Sequence, residues 1–262
     1  RKMNILVSND DGIQAEGMRV LVKALAAIPG NNVYVSAPDG QRSACGHGIT
    51  MTAPIMVDDS VSVDGAVWAQ ALSGTPADCV KFGIKRLKKE QDIDIDIVFS
   101  GINHGGNIGS DVFYSGTVSA AIEGVLCGVP AVALSVGTSA PTTEMFENCA
   151  AIVSQLCETA VPDMDKLTVL NINYPPLPPA EIKGIKITKL GPREYAEKFE
   201  LMENPKGQKY YWYCGDMVVY NGLPDDYDVM AQQDGYVSVT PLQLDLTNHD
   251  LREKVAGWKL SV

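Results

Sequence analysis

Short apolar runs alternate with amphipathic stretches along most of this chain. Ile5-Leu6-Val7 reads as a buried parallel strand and stops at Ser8-Asn9-Asp10-Asp11-Gly12, a cluster of turn formers. Met18, Leu21, Val22, Leu25 and Ile28 form a helical stripe closed by Pro29-Gly30-Asn31-Asn32, and Val33-Tyr34-Val35 is a second strand. Such a βαβ opening is right-handed with parallel strands. Ile49–Val67 suggests a hairpin. Thr75 followed by Pro76 opens a helix reaching about Glu90. The pattern then predicts a strand over Ile93–Phe99, a helix over Val118–Cys127, a strand over Ala131–Val136, a helix over Glu144–Val161 and a last central strand over Leu167–Ile172. The sum is an α/β fold with a mainly parallel sheet flanked by helices.

Past Asn173 the character changes. Tyr174 to Pro179 is a proline-rich connector and Gly184–Leu190 a strand, whereas Gly191–Asp228 has no clear period and carries Tyr210-Tyr211-Trp212-Tyr213. So long an irregular stretch predicts a protruding arm or hairpin whose aromatic residues pack on another subunit, with local core as the alternative. Tyr236–Leu242 alternates as a strand and His249–Leu260 closes as a helix. The organisation expected is a core over residues 1–190 and a C-terminal extension over 191–262.

Composition narrows the class. Of 262 residues 45% are hydrophobic and 20% charged, which is globular, and the apolar runs are too short to span a bilayer. Six scattered cysteines without a Cys-x-x-Cys pair, and no recognisable signal peptide, point to reduced thiols in the cytoplasm. Arg at position 1 is expected to reflect trimming or added residues ahead of Met3. A net charge of −11 argues against duplex nucleic acid or an acidic membrane as partner, but leaves room for a small phosphate ester held by local amides, hydroxyls and a metal.

In a parallel sheet the strand-to-helix loops emerge at one edge, where ligands bind. That rule gathers Asp10-Asp11, the Ser43 loop, the Asn103–Asn107 loop and the helix start at Ser115-Gly116-Thr117. Adjacent carboxylates repel, and a hard divalent cation is the simplest way to keep both charged; an exposed turn in which Asp11 caps the next helix is the bland alternative. Carboxylate, hydroxyl and amide oxygens suit Mg²⁺, Mn²⁺ or Ca²⁺ rather than zinc, and His47, His104 and His249 lack zinc spacing. The helix start offers an anion site, or simply an N-cap at Ser115. His104 is a candidate general acid or a structural loop residue. The glycine-rich run 101–109 lacks both the dinucleotide and the Walker order. Asp92-Ile93-Asp94-Ile95-Asp96 reads as a half-buried strand with a polar face rather than a phosphatase Asp-x-Asp.

These residues together resemble the SurE family of stationary-phase survival nucleotidases. The likeness runs through Ser8–Gly12, Ala37-Pro38-Asp39 with Arg42-Ser43, Gly74–Cys79, Ser100–Asn103 with Gly105 and Asn107, Tyr114–Val118 with Glu123-Gly124, Leu190–Arg193 and Gly235–Leu242. It implies a Rossmann-like fold with a C-terminal extension exchanged between subunits of a homodimer or homotetramer. It further implies a phosphatase of nucleoside 5′- and 3′-monophosphates, with one divalent cation, Mg²⁺ or Mn²⁺ or Ca²⁺ in crystals, held by Asp10, Asp11, Ser43 and Asn103. Asp10 and Asp11 would act through water at that ion, and Asn107, Ser115, Gly116 and Thr117 would face the phosphate. An aspartyl-phosphate on Asp10 or Asp11 is the chemical alternative. The position of His104 varies in the family, so the resemblance gives it no role. A non-catalytic nucleotide and metal sensor is the rival in another class. A two-component receiver also begins with paired acids, but this chain's length and its Ser43 and Asn103 loops weigh against that.

Overall fold

The computed structural model describes residues 2–160, 164–196 and 198–259. The chain runs β1 (Asn4–Ser8), α1 (Glu16–Ala26), β2 (Asn32–Pro38), β3 (Val57–Asp58), β4 (Trp68–Leu72), α2 (Pro76–Gln91), β5 (Ile97–His104), α3 (Gly116–Leu126), β6 (Ala131–Val136) and α4 (Thr143–Gln155). It continues through β7 (Thr168–Tyr174), β8 (Ile185–Ile187), β9 (Lys198–Glu203), β10 (Lys209–Cys214), α5 (Asp228–Gln233), β11 (Val237–Gln243) and α6 (His249–Ala256). Among the described residues one nine-stranded sheet has the order β3-β4-β2-β1-β5-β6-β7-β11-β8, parallel from β4 to β7.

The apolar run of β1 serves both faces, because successive strand side chains point opposite ways. Ile5 and Val7 join Met18, Leu21, Leu25 and Phe146 under α1 and α4, while Leu6 joins Val80, Leu87 and Val118 under α2 and α3. Burying both faces is what a parallel sheet requires, and it leaves the strand ends as the place for polar chemistry. The α2 start is the capping box its sequence announces: the Thr75 side chain accepts from Asp78 N–H, and Asp78 accepts from Thr75 N–H.

Several expectations need correction. The strand begins at Ile97, not Ile93, and runs on to His104. Asp92 instead ends α2 in the left-handed region, Lys88 binds both Asp92 and Asp94, and Asp96 accepts from Asn4 N–H. The alternating acids are therefore held by a helix end and by the start of β1. Ile49–Val67 is mostly irregular, with only Val57–Asp58 pairing antiparallel to the end of β4. The predicted helix over Glu144–Val161 is α4 followed by a π turn at Leu156–Ala160; Val161 lies outside the described residues, as does Leu260 of the closing helix. β7 is not the last central strand. β11, from within 191–262, lies between β7 and β8, antiparallel to β7 and parallel to β8.

The aperiodic stretch after Gly191 contains an antiparallel hairpin of β9 and β10. All twelve of its strand residues are exposed; polar and apolar residues alternate only over Lys198–Leu201, and the aromatic run of β10 has no alternation to match it. No helix among the described residues is long and apolar enough to cross a membrane.

Candidate active site

The turn after β1 is closed by its own sequence. Asn9 donates from Nδ2 to the Gly12 carbonyl at 2.9 Å, and Gly12 N–H returns a bond to Asn9 Oδ1 at 3.2 Å. Gly12 has φ of +99°, and an added Cβ would stand 3.1 Å from the Gly40 backbone. The same turn is tied to the loop after β2, since Arg42 N–H donates to the Asp10 carbonyl at 2.7 Å.

Asp10 is 4% exposed. Its Oδ1 accepts the Thr117 hydroxyl at 2.5 Å, with support from the Thr117 backbone. Burial pushes its carboxyl up from 3.8 to about 6, Thr117 opposes the rise, and the neighbouring Asp11 adds to it. Asp11 is also raised by burial, and is relieved by the His104 N–H, which donates to its Oδ2 at 3.2 Å. The anion resting at the start of α3 is thus Asp10 itself. Gly116 makes that approach feasible: a Cβ there would lie 2.7 Å from Asp10 Cβ and 2.8 Å from its Oδ2. Ser115 is the helix N-cap, accepting from Val118 N–H at 3.0 Å.

β5 delivers the third cluster. Its register with β6 shifts between Ser100 and Asn103, a bulge that re-aims the end of the strand. Asn103 donates from Nδ2 to the Gly105 carbonyl at 2.9 Å, and among the described residues no donor is aimed at its Oδ1. Asn107 is anchored all round: its N–H donates to Asn173 Oδ1, its carbonyl accepts from Asn171 and Asn173, and its Nδ2 donates to Ser135 Oγ at 2.8 Å. Asp228 bolts on the C-terminal stretch, taking Gly109 N–H on one oxygen and Gly191 N–H on the other, each at 2.8 Å.

These elements enclose a cleft of about 960 Å³. Of the residues singled out from sequence, Asp10, Ser43, Asn103, His104, Asn107 and Ser115 line it. Asp11, Gly116 and Thr117 stand behind that wall, Asp11 on the His104 amide and Thr117 on Asp10. Ser43 is exposed on the rim, where its hydroxyl accepts from Gln41 at 3.0 Å. The His104 ring packs on Phe146 with centroids 5.2 Å apart.

Sequence reasoning missed the outer wall. Arg193 donates from Nε to Asp111 Oδ2 at 2.9 Å, Tyr195 donates its hydroxyl to the same oxygen at 2.7 Å, and the guanidinium sits 5.6 Å from the Tyr195 ring. Tyr114 and Tyr213 complete that side. The run Leu190-Gly191-Pro192-Arg193 is visible as a motif, but nothing in it discloses that residue 193 reaches the short helix before α3.

The donor set suits a hard divalent cation by its chemistry: two carboxylates with raised pKa values, an amide oxygen without a donor and a rim hydroxyl. No group of three His, Cys, Asp or Glu residues able to hold a metal occurs among the described residues.

A testable consequence concerns the cation-free protein. Folding tightens the hold of Asp10 on its proton, so its contribution is favourable at low pH and is lost as pH rises from 3.8 through about 6. Asp10→Asn, which keeps an acceptor for Thr117, should therefore stabilise the protein by up to about 3 kcal/mol near pH 8 in chelator, and by almost nothing near pH 4. Urea unfolding measures both; a variant no more stable than its parent at the higher pH contradicts the burial cost assigned to Asp10.

The profile described as Survival protein SurE matches residues 5–197. A 5′-nucleotidase SurE of Synechococcus sp. (strain JA-3-3Ab) is 44% identical over 261 residues, covering 99% of this chain and 98% of that protein. The 5′-nucleotidase SurE of Petrotoga mobilis is also 44% identical, covering 98% and 99%. The crystal structure of a SurE protein from Aquifex aeolicus superposes with a TM-score of 0.78 at 36% identity, over 96% of this chain and 98% of that one. The chain belongs to the SurE family.

Proposed function

We propose that this chain is a divalent-cation-dependent phosphomonoesterase that hydrolyses nucleoside 5′- and 3′-monophosphates to nucleoside and phosphate. The observation that carries the reading is the convergence of Asp10, Ser43, Asn103, Asn107 and Ser115 on one cleft whose outer wall is aromatic. Relatives at 44% identity over nearly their whole length are named 5′-nucleotidases, which supports the reaction class.

Asp10, Asp11, Asn103 and Ser43 would hold the cation. When bound it supplies Lewis acidity toward a phosphoryl oxygen and toward the attacking water. Thr117 orients the Asp10 carboxylate and opposes the rise of its pKa, and the His104 amide does the same for Asp11. Asn107 and Ser115 would orient the phosphoryl group, with Asn107 itself held rigid by β6 and β7. His104, its ring plane set by Phe146, would hold a proton for the leaving alkoxide. Tyr114, Tyr195 and Tyr213 offer flat apolar surface to a nucleoside.

The hairpin supports an oligomer. Pairing of Tyr211 with Leu201 and of Tyr213 with Phe199 sets four large side chains on one exposed face, the kind of surface that another copy of the chain can cover. The 191–262 extension would seat this arm on a partner copy. Sedimentation equilibrium should give a mass two or four times the 28.1 kDa of one chain; a single-chain mass at assay concentration rejects the arm.

Activity is tested by phosphate release. AMP with Mg²⁺ or Mn²⁺ should be turned over, excess chelator should abolish release, and added cation should restore it. Full activity in chelator removes the cation from the account, and cation-bound protein that binds AMP without releasing phosphate favours the sensor.

A further inference from the structure

Glu123 is fully buried on α3, behind the cleft, yet it carries an ionisable carboxyl. It meets two partners from two other parts of the chain: Lys81 Nζ of α2 at 2.6 Å on Oε1, and His47 Nε2 at 2.8 Å on Oε2. A buried carboxylate needs partners to stay charged, and Lys81 alone supplies one. The His47 contact is therefore surplus to neutralising Glu123. Its position shows what else it does.

His47 ends the segment that carries Ser43. Arg42 N–H is bonded to the Asp10 carbonyl, Gly46 N–H to the Tyr114 carbonyl at 3.0 Å, and the Gly48 carbonyl accepts the Thr75 hydroxyl at 2.7 Å. Between these holds Ser43 and Ala44 stand exposed on the cleft, and Ala44 has φ of +54°. A non-glycine residue in that region persists only where its surroundings impose it. Beyond those backbone holds and the Arg42 side-chain bonds to Asp39 and to the Ser73 carbonyl, His47 gives the segment a side-chain anchor on a fully buried group.

We infer that His47 is a positioning residue: through Glu123 it ties the Ser43 loop to the helix against whose start Asp10 rests, and so fixes where the Ser43 hydroxyl stands relative to the paired aspartates. The inference rests on the reading of Ser43 as a cation ligand. It adds a residue whose action passes wholly through the loop.

The test is a double-mutant cycle of His47→Ala and Ser43→Ala, with Mn²⁺ affinity of the cation-free protein measured by calorimetry. Lys81 still pairs with Glu123 in each variant, so the fold persists. His47→Ala should weaken Mn²⁺ about tenfold, as a partner behind a ligand does. The double variant should bind no more weakly than Ser43→Ala alone, because the tether has nothing left to position. His47→Gln, which keeps a donor to Glu123, should recover most of the affinity. Losses that multiply in the double variant, or wild-type affinity in His47→Ala, overturn the proposal. Amide exchange in the absence of cation separates this from the function proposed above: the protection of Gly46 N–H should fall in His47→Ala while the middle of α3 is unchanged. A wild type that binds no Mn²⁺ defeats the cation site, and unchanged Gly46 protection defeats the tether.

Discussion

Two adjacent carboxylates held at the end of a buried strand are the constraint on which the rest of the site depends. Desolvation disfavours the charge on each, and their mutual repulsion adds to the cost, so Asp10 is pushed up to about 6. The protein offsets part of this with dipoles, and the charge of the His104 side chain adds to the relief of Asp11. Thr117 and the start of α3 serve Asp10, and the His104 amide serves Asp11. What remains is a pair of carboxylates with raised pKa values, Asp10 of them on the cleft that Asn103 and Ser43 also line, and such chemistry favours a hard cation.

Holding that pair in place governs much of the local architecture. Gly116 lets a helix start come within van der Waals range of Asp10, and the bulge in β5 turns Asn103 toward the same opening. Behind the glycine-rich loop lies a polar layer of Ser135, Asn171 and Asn173, which fixes Asn107 from three directions. This layer backs the wall that would carry phosphate, although the buried Asn171 Oδ1 in it has no hydrogen-bond partner among the described residues. Asp228 extends the rigidity to the C-terminal stretch, so the outer wall with Arg193 and Tyr195 is joined to the same framework.

The central half of this arrangement is legible in the sequence. Turn formers directly after apolar runs, with the rule that parallel strands open at one edge, bring Asp10, Ser43, Asn103 and Ser115 together without coordinates. The remainder depends on contacts between residues far apart in sequence. Asn171 and Asn173 alternate along β7 as polar positions with no visible purpose, because their partner is the backbone of Asn107. Asp228 looks like an ordinary helix-start acid, although its oxygens hold Gly109 and Gly191. Asp92, Asp94 and Asp96 alternate like strand residues, but Lys88 and Asn4 claim them first. The hairpin of β9 and β10 left only a four-residue alternation at Lys198–Leu201, since the run Tyr210–Tyr213 is aromatic on both exposed faces, and β11 entered the sheet beyond what was expected to be its last central strand.

The central claim is that oxygens from three separated segments, Asp10-Asp11, Ser43 and Asn103, surround one cation. Crystals grown with Mn²⁺ and measured at an anomalous wavelength test it most directly. The account predicts a single strong peak within bonding distance of Asp10, Asp11 and Asn103, with Ser43 on the open side. A peak elsewhere, or none at saturating Mn²⁺ with both aspartates turned away from Asn103, would contradict it.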